Sequence, residues 1–208
     1  MKYTITGATG HLGREVVKAL SQLTEIKNIR LAVRTPQKAA DFAGAGYEVV
    51  HSDYYDIPSM VEAFTGTDVL IYIPSITYKV GKRIEEFENS LAAMKAAGVK
   101  DLVDVSFMAD QDNNPFQMSG YYAYLPARLA SSHLRYAVVK NSLYADPLVP
   151  YLPELIARGN VIYPVGDQAM SFISRKDSGE AIANVAVRPY LRNKGQSYLL
   201  TQEQNYNC

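Results

Sequence analysis

Thr6-Gly7-Ala8-Thr9-Gly10-His11-Leu12-Gly13 sets the architecture expected of this chain. It follows the apolar Tyr3-Thr4-Ile5 and precedes the helix-like Arg14-Glu15-Val16-Val17-Lys18-Ala19-Leu20, so a glycine-rich turn joins a strand to a helix. Such a junction suits a dinucleotide pyrophosphate. Gly7 takes the tight turn, Gly10 lets the phosphates approach the backbone, and Gly13 lets the helix pack closely on the strand. The helix N-terminus then offers free N–H groups and the positive end of its dipole to the anion. The spacing is Gly-x-x-Gly-x-x-Gly rather than Gly-x-Gly-x-x-Gly, and its weight comes from its place at the head of a strand–helix–strand pattern. An ordinary tight turn is the alternative reading.

The next strand, Ile29-Arg30-Leu31-Ala32-Val33, runs into Arg34-Thr35-Pro36-Gln37-Lys38. This lies about twenty residues beyond the glycines, where a dinucleotide site reads the adenosine ribose. An acidic side chain there would accept from the 2′-hydroxyl of NAD. Arg34, with Lys38 one helical turn later, suits a 2′-phosphate instead and points to NADP(H). The alternative is a solvated arginine on a surface turn.

A chain of 208 residues with 48% hydrophobic side chains buries a full core, and one domain over residues 1–208 is expected. Twenty-one basic and twenty-one acidic residues cancel, so composition offers no basic surface for nucleic acid and none is expected as a partner. The one cysteine is Cys208, so no disulfide framework, cysteine-based metal site or buried catalytic thiol is expected, in keeping with a reducing cytoplasm. The N-terminus has no charged and apolar leader, and no apolar run approaches the roughly eighteen residues of a membrane span. A soluble, cytoplasmic protein without metal is the expectation.

Strand-like and helix-like stretches alternate along the chain. Strands are expected at 2–6, 28–34, 47–51, 68–73, 102–106, 136–139, 161–163 and 197–200, and helices at 13–22, 37–42, 58–64, 80–97, 151–158 and 176–187. The helix at 80–97 carries Ile84, Phe87, Leu91, Met94 and Ala97 at three- and four-residue spacing, a core-facing stripe. Apolar strands alternating with helical crossovers imply an α/β fold, a Rossmann-like doubly wound parallel sheet with helices on both faces. Residues 107–124 show no period, and long irregular segments at the carboxyl edge of such a sheet are usually binding loops. Pro126 disfavours helical geometry at Leu125 and is expected to leave Tyr124 outside a helix.

The glycine turn, Val33-Arg34-Thr-Pro36-Gln-Lys38, Asp53-Tyr54-Tyr55-Asp56, Ile73-Pro74-Ser75, Tyr151-Leu-Pro-Glu-Leu-Ile and Ile162-Tyr-Pro-Val-Gly166-Asp167 together resemble the NmrA-like branch of atypical short-chain dehydrogenases. Within it they are most similar to quinone oxidoreductase 2-type proteins and to relatives labelled sugar-nucleotide epimerases. The resemblance implies that Gly7, Thr9, Gly10, His11 and Leu12 wrap the pyrophosphate, that Arg34 holds the 2′-phosphate with support from Lys38, and that Asp53 and Tyr54 flank the adenine. Ile73, Pro74 and Ser75 would pass the nicotinamide ribose. Relatives of this type continue for several dozen more residues, so the small C-terminal substrate lobe, to which about 145–175 contribute, is expected to be shortened.

Short-chain dehydrogenases that do acid/base chemistry use a tyrosine whose pKa is lowered by a lysine four residues later. The nearest pattern here is Tyr124-Leu-Pro126-Ala-Arg128, with arginine in the lysine position. Ser106, Tyr122, Tyr124 and Arg128 are the catalytic candidates, Tyr121 competes with them, and packing is the alternative for all three tyrosines. Two functions follow from the resemblance: an NADPH-dependent oxidoreductase passing a hydride to a small acceptor such as a quinone, or a non-catalytic NADP(H)-binding redox sensor that signals to a protein partner. Sugar-nucleotide epimerisation would need a tyrosine base that this pattern does not securely supply.

Overall fold

The apolar runs expected as strands pair into one seven-stranded parallel sheet in the computed structural model, which describes residues 1–159 and 169–207. In chain order the elements are β1 (Tyr3–Thr6), α1 (His11–Leu20), β2 (Ile29–Val33), α2 (Ala40–Gly44), β3 (Glu48–His51), α3 (Ile57–Phe64), β4 (Val69–Tyr72), α4 (Val80–Ala96), β5 (Asp101–Phe107), α5 (Ser119–Ala130) and β6 (Arg135–Asn141). There follow β7 (Leu143–Tyr144), α6 (Leu152–Arg158), β8 (Ala169–Met170), β9 (Phe172–Ile173), α7 (Arg175–Val187), α8 (Pro189–Arg192), β10 (Gln196–Leu200) and β11 (Tyr206–Asn207). The large sheet has the order β10-β6-β5-β4-β1-β2-β3, and two small sheets join β7 to β9 and β11 to β8. The direction of winding reverses between β1 and β4, which opens a crevice at their carboxyl ends. The strand and turn expected at 161–163 and 166–167 lie outside the described residues.

Both faces of the sheet are covered, as a parallel sheet of continuous apolar strands requires. On one face Val16, Val17 and Leu20 of α1 and Ile182, Ala183 and Ala186 of α7 pack against Ile5, Leu31, Ile71 and Val103. On the other, Met60 and Phe64 of α3, Phe87 and Met94 of α4, and Tyr121, Leu125 and Leu129 of α5 pack against Leu70, Tyr72, Leu102 and Val138. Local signals set the helix ends. Asp56 accepts from the Ser59 N–H to cap α3, Ser174 accepts from the Asp177 N–H to cap α7, and Gly98 at φ +75° stops α4.

Two expectations are corrected. The irregular stretch after Phe107 ends at Met118, and α5 runs through Pro126 with Tyr124 inside it. Proline removes one helical hydrogen bond, but Tyr121, Leu125 and Leu129 recur one turn apart and bury a continuous face, so packing overrides the local preference. The stripe of α4 is also displaced. Phe87, Leu91 and Met94 are buried as expected, yet Ile84 and Ala97 are only partly covered while Arg83, Glu86 and Ser90 are buried. The aromatic face of α5 lies over that flank, with Phe87 and Tyr121 packed edge to face at 6.5 Å.

Gly179 on α7 is where α7 meets α1. A Cβ there would lie 2.8 Å from the Glu15 backbone carbon, so Gly179→Ala pushes α1 away and is expected to cost about 1–3 kcal/mol, read by urea unfolding. Asp104 of β5 is fully buried beside Tyr72 of β4, and neither carboxyl oxygen has a hydrogen-bond partner. Burial raises its pKa well above the carboxylate range. A carboxyl raised in the folded state stabilises only below its unfolded pKa of about 4, and that stability is lost as pH rises toward the folded value. Asp104→Asn is therefore expected to gain stability over the parent by up to about 1.4 kcal/mol per pH unit across that window, measured by unfolding at a series of pH values.

Candidate functional site

The crevice between β1 and β4 is built by close backbone approach. Gly7 sits at φ +64°, and a Cβ on it would stand 3.1 Å from the Ile73 carbonyl oxygen. A Cβ on Gly13 would fall 2.2 Å from the Gly7 carbonyl oxygen, so no side chain fits where α1 crosses the turn. The Gly10 N–H donates to Gly7 O at 3.0 Å, and Arg14 N–H to Gly10 O at 3.0 Å, which starts α1. No side chain caps this helix, and its first turn holds no acidic residue. Its leading N–H groups are left for an anion, and the cradle fits a dinucleotide pyrophosphate.

The far wall of the crevice is pinned to the near one. Ile73 N–H donates to Thr6 Oγ1 at 2.9 Å, and the Tyr54 hydroxyl donates to Ile73 O at 2.7 Å. Burial raises the Tyr54 phenol, which stays a donor. Asp53 Oδ1 accepts from Tyr55 N–H at 2.9 Å and shapes the turn after β3. Beyond Ile73, the Glu86 carboxylate accepts from Ser75 Oγ at 2.5 Å and from Thr77 Oγ1 at 2.7 Å, tying the loop between β4 and α4 to the helix.

A cleft of about 410 Å³ follows this crevice. Of the residues expected to bind cofactor, Gly7, Thr9, Gly10, His11, Leu12, Arg34, Asp53, Tyr54, Ile73, Pro74 and Ser75 line it. Lys38 does not; it is exposed on the short 3-10 turn Pro36–Ala39, where its carbonyl accepts from Arg14. Arg34 stands exposed at the rim, without an ion pair among the described residues. A second cleft of about 340 Å³ opens from the first and shares Leu12, Ile73, Pro74, Ser75, Ile76 and Tyr144 with it. Its wall is aromatic. Tyr78, Phe107 and Tyr122 line it, with Phe116 stacked on Tyr122 at 6.3 Å behind.

The four catalytic candidates separate. Ser106 and Tyr122 line the second cleft, and the Ser106 hydroxyl is buried without a partner. Tyr124 and Arg128 line neither cleft. The Tyr124 hydroxyl donates to Glu88 Oε1 at 2.6 Å, and Arg128 Nε to the same oxygen at 2.7 Å, on the outer side of α4 and α5. Against an upward push from burial, these two bonds hold the Glu88 carboxyl below its ordinary value. The pair is thus committed to joining two helices, because Tyr124 sits three residues beyond the buried Tyr121 and faces the opposite flank of Leu125. Sequence reading missed Tyr144 and Arg175, which come from β7 and α7 to line the first cleft. The Arg175 guanidinium lies 5.4 Å from the Tyr144 ring, and burial pushes the Tyr144 phenol up to about 12. No local pattern marks either residue.

Among the described residues no helix is long and apolar enough to cross a membrane. Residues 7–189 match the model of a family described as NAD(P)H-binding. The chain is 32% identical over 181 residues to quinone oxidoreductase 2 of Escherichia coli, covering 87% of this chain but only 62% of that protein. It superposes with a TM-score of 0.90 on a nucleoside-diphosphate-sugar epimerase from Staphylococcus aureus, at 38% identity over 100% of this chain and 73% of the other. With the triphenylmethane reductase of Citrobacter sp., solved with NADP(H), the TM-score is 0.91 at 26% identity, covering 100% of this chain and 72% of the other. The likeness to quinone oxidoreductase 2-type proteins read from the sequence motifs together holds. The chain belongs to the NAD(P)H-binding family, with a Rossmann-like fold and its glycine cradle in place.

Proposed function

We propose that the chain is an NADPH-dependent oxidoreductase that passes a hydride to a small acceptor, a quinone. The observation that carries this reading is the continuity of the two clefts. A cradle suited to a dinucleotide opens past Ile73–Ile76 and Tyr144 into an aromatic-walled pocket holding an unpartnered Ser106 hydroxyl and the Tyr122 phenol. The N–H groups at the head of α1 would hold the pyrophosphate, Arg34 the 2′-phosphate with Lys38 in support, Asp53 and Tyr54 the adenine side, and Ile73, Pro74 and Ser75 the nicotinamide ribose. Bound there, the cofactor supplies the hydride. The chain orients the reacting faces, excludes water with Tyr78, Phe107 and Tyr144, and offers hydroxyl donors to the acceptor oxygen.

Burial raises the Tyr122 phenol above its ordinary value, so it is protonated at neutral pH and donates. A quinone is already electrophilic, and its reduced oxygen takes a proton from Tyr122 or from water. Residues 145–159 and 169–175 would contribute to the small substrate lobe. The E. coli relative, named a quinone oxidoreductase, supports the choice of acceptor, although this chain spans 62% of its length. The withdrawal of Tyr124 and Arg128 onto Glu88 favours a second reading, a non-catalytic NADP(H) sensor acting on a protein partner. Steady NADPH oxidation with simple quinones separates the two.

Arg34→Gln is expected to weaken NADPH binding about tenfold to a hundredfold, the worth of a lost charge-assisted hydrogen bond, with NADH binding nearly unchanged in parallel calorimetric titrations. Equal loss for both cofactors would remove the 2′-phosphate assignment. Tyr122→Phe is expected to lower kcat with quinones about tenfold to a hundredfold, near the lower end for a lost general acid, without changing the NADPH Kd. Tyr124→Phe should leave turnover intact, and a loss there equal to that of Tyr122→Phe would return catalysis to the outer pair.

A further inference from the structure

Arg83 is the one strong positive charge set into the wall of the second cleft among the described residues. Its side chain is 6% exposed. Nε and Nη2 both donate to the Thr77 carbonyl, at 3.0 and 2.6 Å, and neither bond uses Nη1. The guanidinium carbon lies 5.3 Å from the centre of the Tyr121 ring. Glu86 is the nearest anion, but its approach to Nε is loose at 4.0 Å, and its two oxygens are engaged by Ser75 and Thr77. Burying a charge is costly unless it is compensated, and here one edge of the guanidinium has no carboxylate in contact. Arg83 also acts on Tyr122: burial raises that phenol, while the Arg83 charge pulls it down. The neighbouring Ser106 hydroxyl has no partner.

We propose that Arg83 is the positioning cation of the acceptor site, fixing Tyr122 and selecting planar acceptors whose oxygen becomes anionic on reduction. This rests on the oxidoreductase reading above and names the acceptor class for the same pocket. A quinone that takes a hydride gains two electrons and one hydrogen and becomes a hydroquinone monoanion. The Tyr122 hydroxyl donates the second proton to that oxygen, and the Tyr122 phenolate regains one from water. Negative charge is thus held in turn by the acceptor oxygen and by Tyr122, both beside the guanidinium. Preorganised positive charge beside a developing oxyanion stabilises such a sequence without reorganisation. The planar fork of arginine meets Thr77 O with two N–H groups, and its charge still acts on Tyr122 in the same cleft wall.

The test reads binding and does not require turnover. Lawsone, a hydroxynaphthoquinone that is an anion at neutral pH, is titrated calorimetrically into the NADP⁺-saturated protein beside its neutral methyl ether. The parent chain is expected to prefer the anion by about tenfold, the size of one charge-assisted contact. Arg83→Gln should remove that preference, and Arg83→Lys should keep most of it. In a double-mutant cycle on quinone kcat, Arg83→Gln should cost much less in the Tyr122→Phe background than alone, a coupling that a merely structural arginine would not produce. Equal affinity of the parent for lawsone and its ether overturns the proposal even if Arg83→Gln fails to fold, as do additive effects in the cycle. If the parent prefers the anion through Arg83 but turns over no quinone, the oxidoreductase reading fails and the anion-selecting site stands. If it turns over quinones without that preference, the reverse holds.

Discussion

The contact between Gly13 and the carbonyl of Gly7 governs the geometry of everything that follows it in the fold. With 2.2 Å available to a Cβ, only glycine lets α1 cross the turn at that distance. The crossing aims the uncapped head of α1 into the β1–β4 crevice and lets α1 lie against α7, where Gly179 repeats the same device against Glu15. A helix set further out would withdraw its N–H groups from the crevice and open the core between α1, α7 and the sheet. The phosphate cradle and the packing of that face are one steric event.

The opposite face is organised by polar groups kept out of water. Arg83, Glu86, Ser90 and Asp104 are all buried there, with the hydroxyls of Tyr72 and Tyr121. An apolar core would be more stable, since unpaired buried polar atoms carry a desolvation cost. The cost is borne beside the site. Glu86 and Arg83 hold the middle of the loop between β4 and α4, on either side of Ile76, at Ser75 and at Thr77. That loop carries Ile76, 98% exposed, across the mouth of both clefts. The burial of these charges fixes a loop that otherwise has little apolar contact to hold it.

The fate of the tyrosine–arginine pair follows from helix periodicity. On α5, Tyr121 and Leu125 point into the core, Tyr122 turns toward the second cleft, and Tyr124 and Arg128 share the outer flank where Glu88 waits on α4. A shift of two positions along a helix is about 200° of rotation, enough to exchange a cleft-facing phenol for a surface one. Of the two tyrosines, Tyr122 is therefore the one that faces the second cleft, while Tyr124 is held on the outer flank by Glu88.

What the sequence determined by itself is what short stretches encode. A left-handed glycine, a run of apolar residues bounded by turns, and an arginine in place of an acid after the second strand are local facts, and they specified the alternating strands, the winding, the glycine cradle and the place of Arg34. Eleven of the twelve residues expected to hold the cofactor line one cleft; the glycine turn and Arg34 were legible in local sequence, whereas Asp53, Tyr54, Ile73, Pro74 and Ser75 were expected there only from the family resemblance. The tertiary structure alone decided which flank of α4 is buried, that α5 continues through Pro126, and that Tyr144, Arg175 and Arg83 meet the ends of β4 and β5. These outcomes depend on how two helical faces and three separate chain segments complement one another across the sheet. Such complementarity is a property of surfaces assembled from distant residues, and no window of sequence contains it.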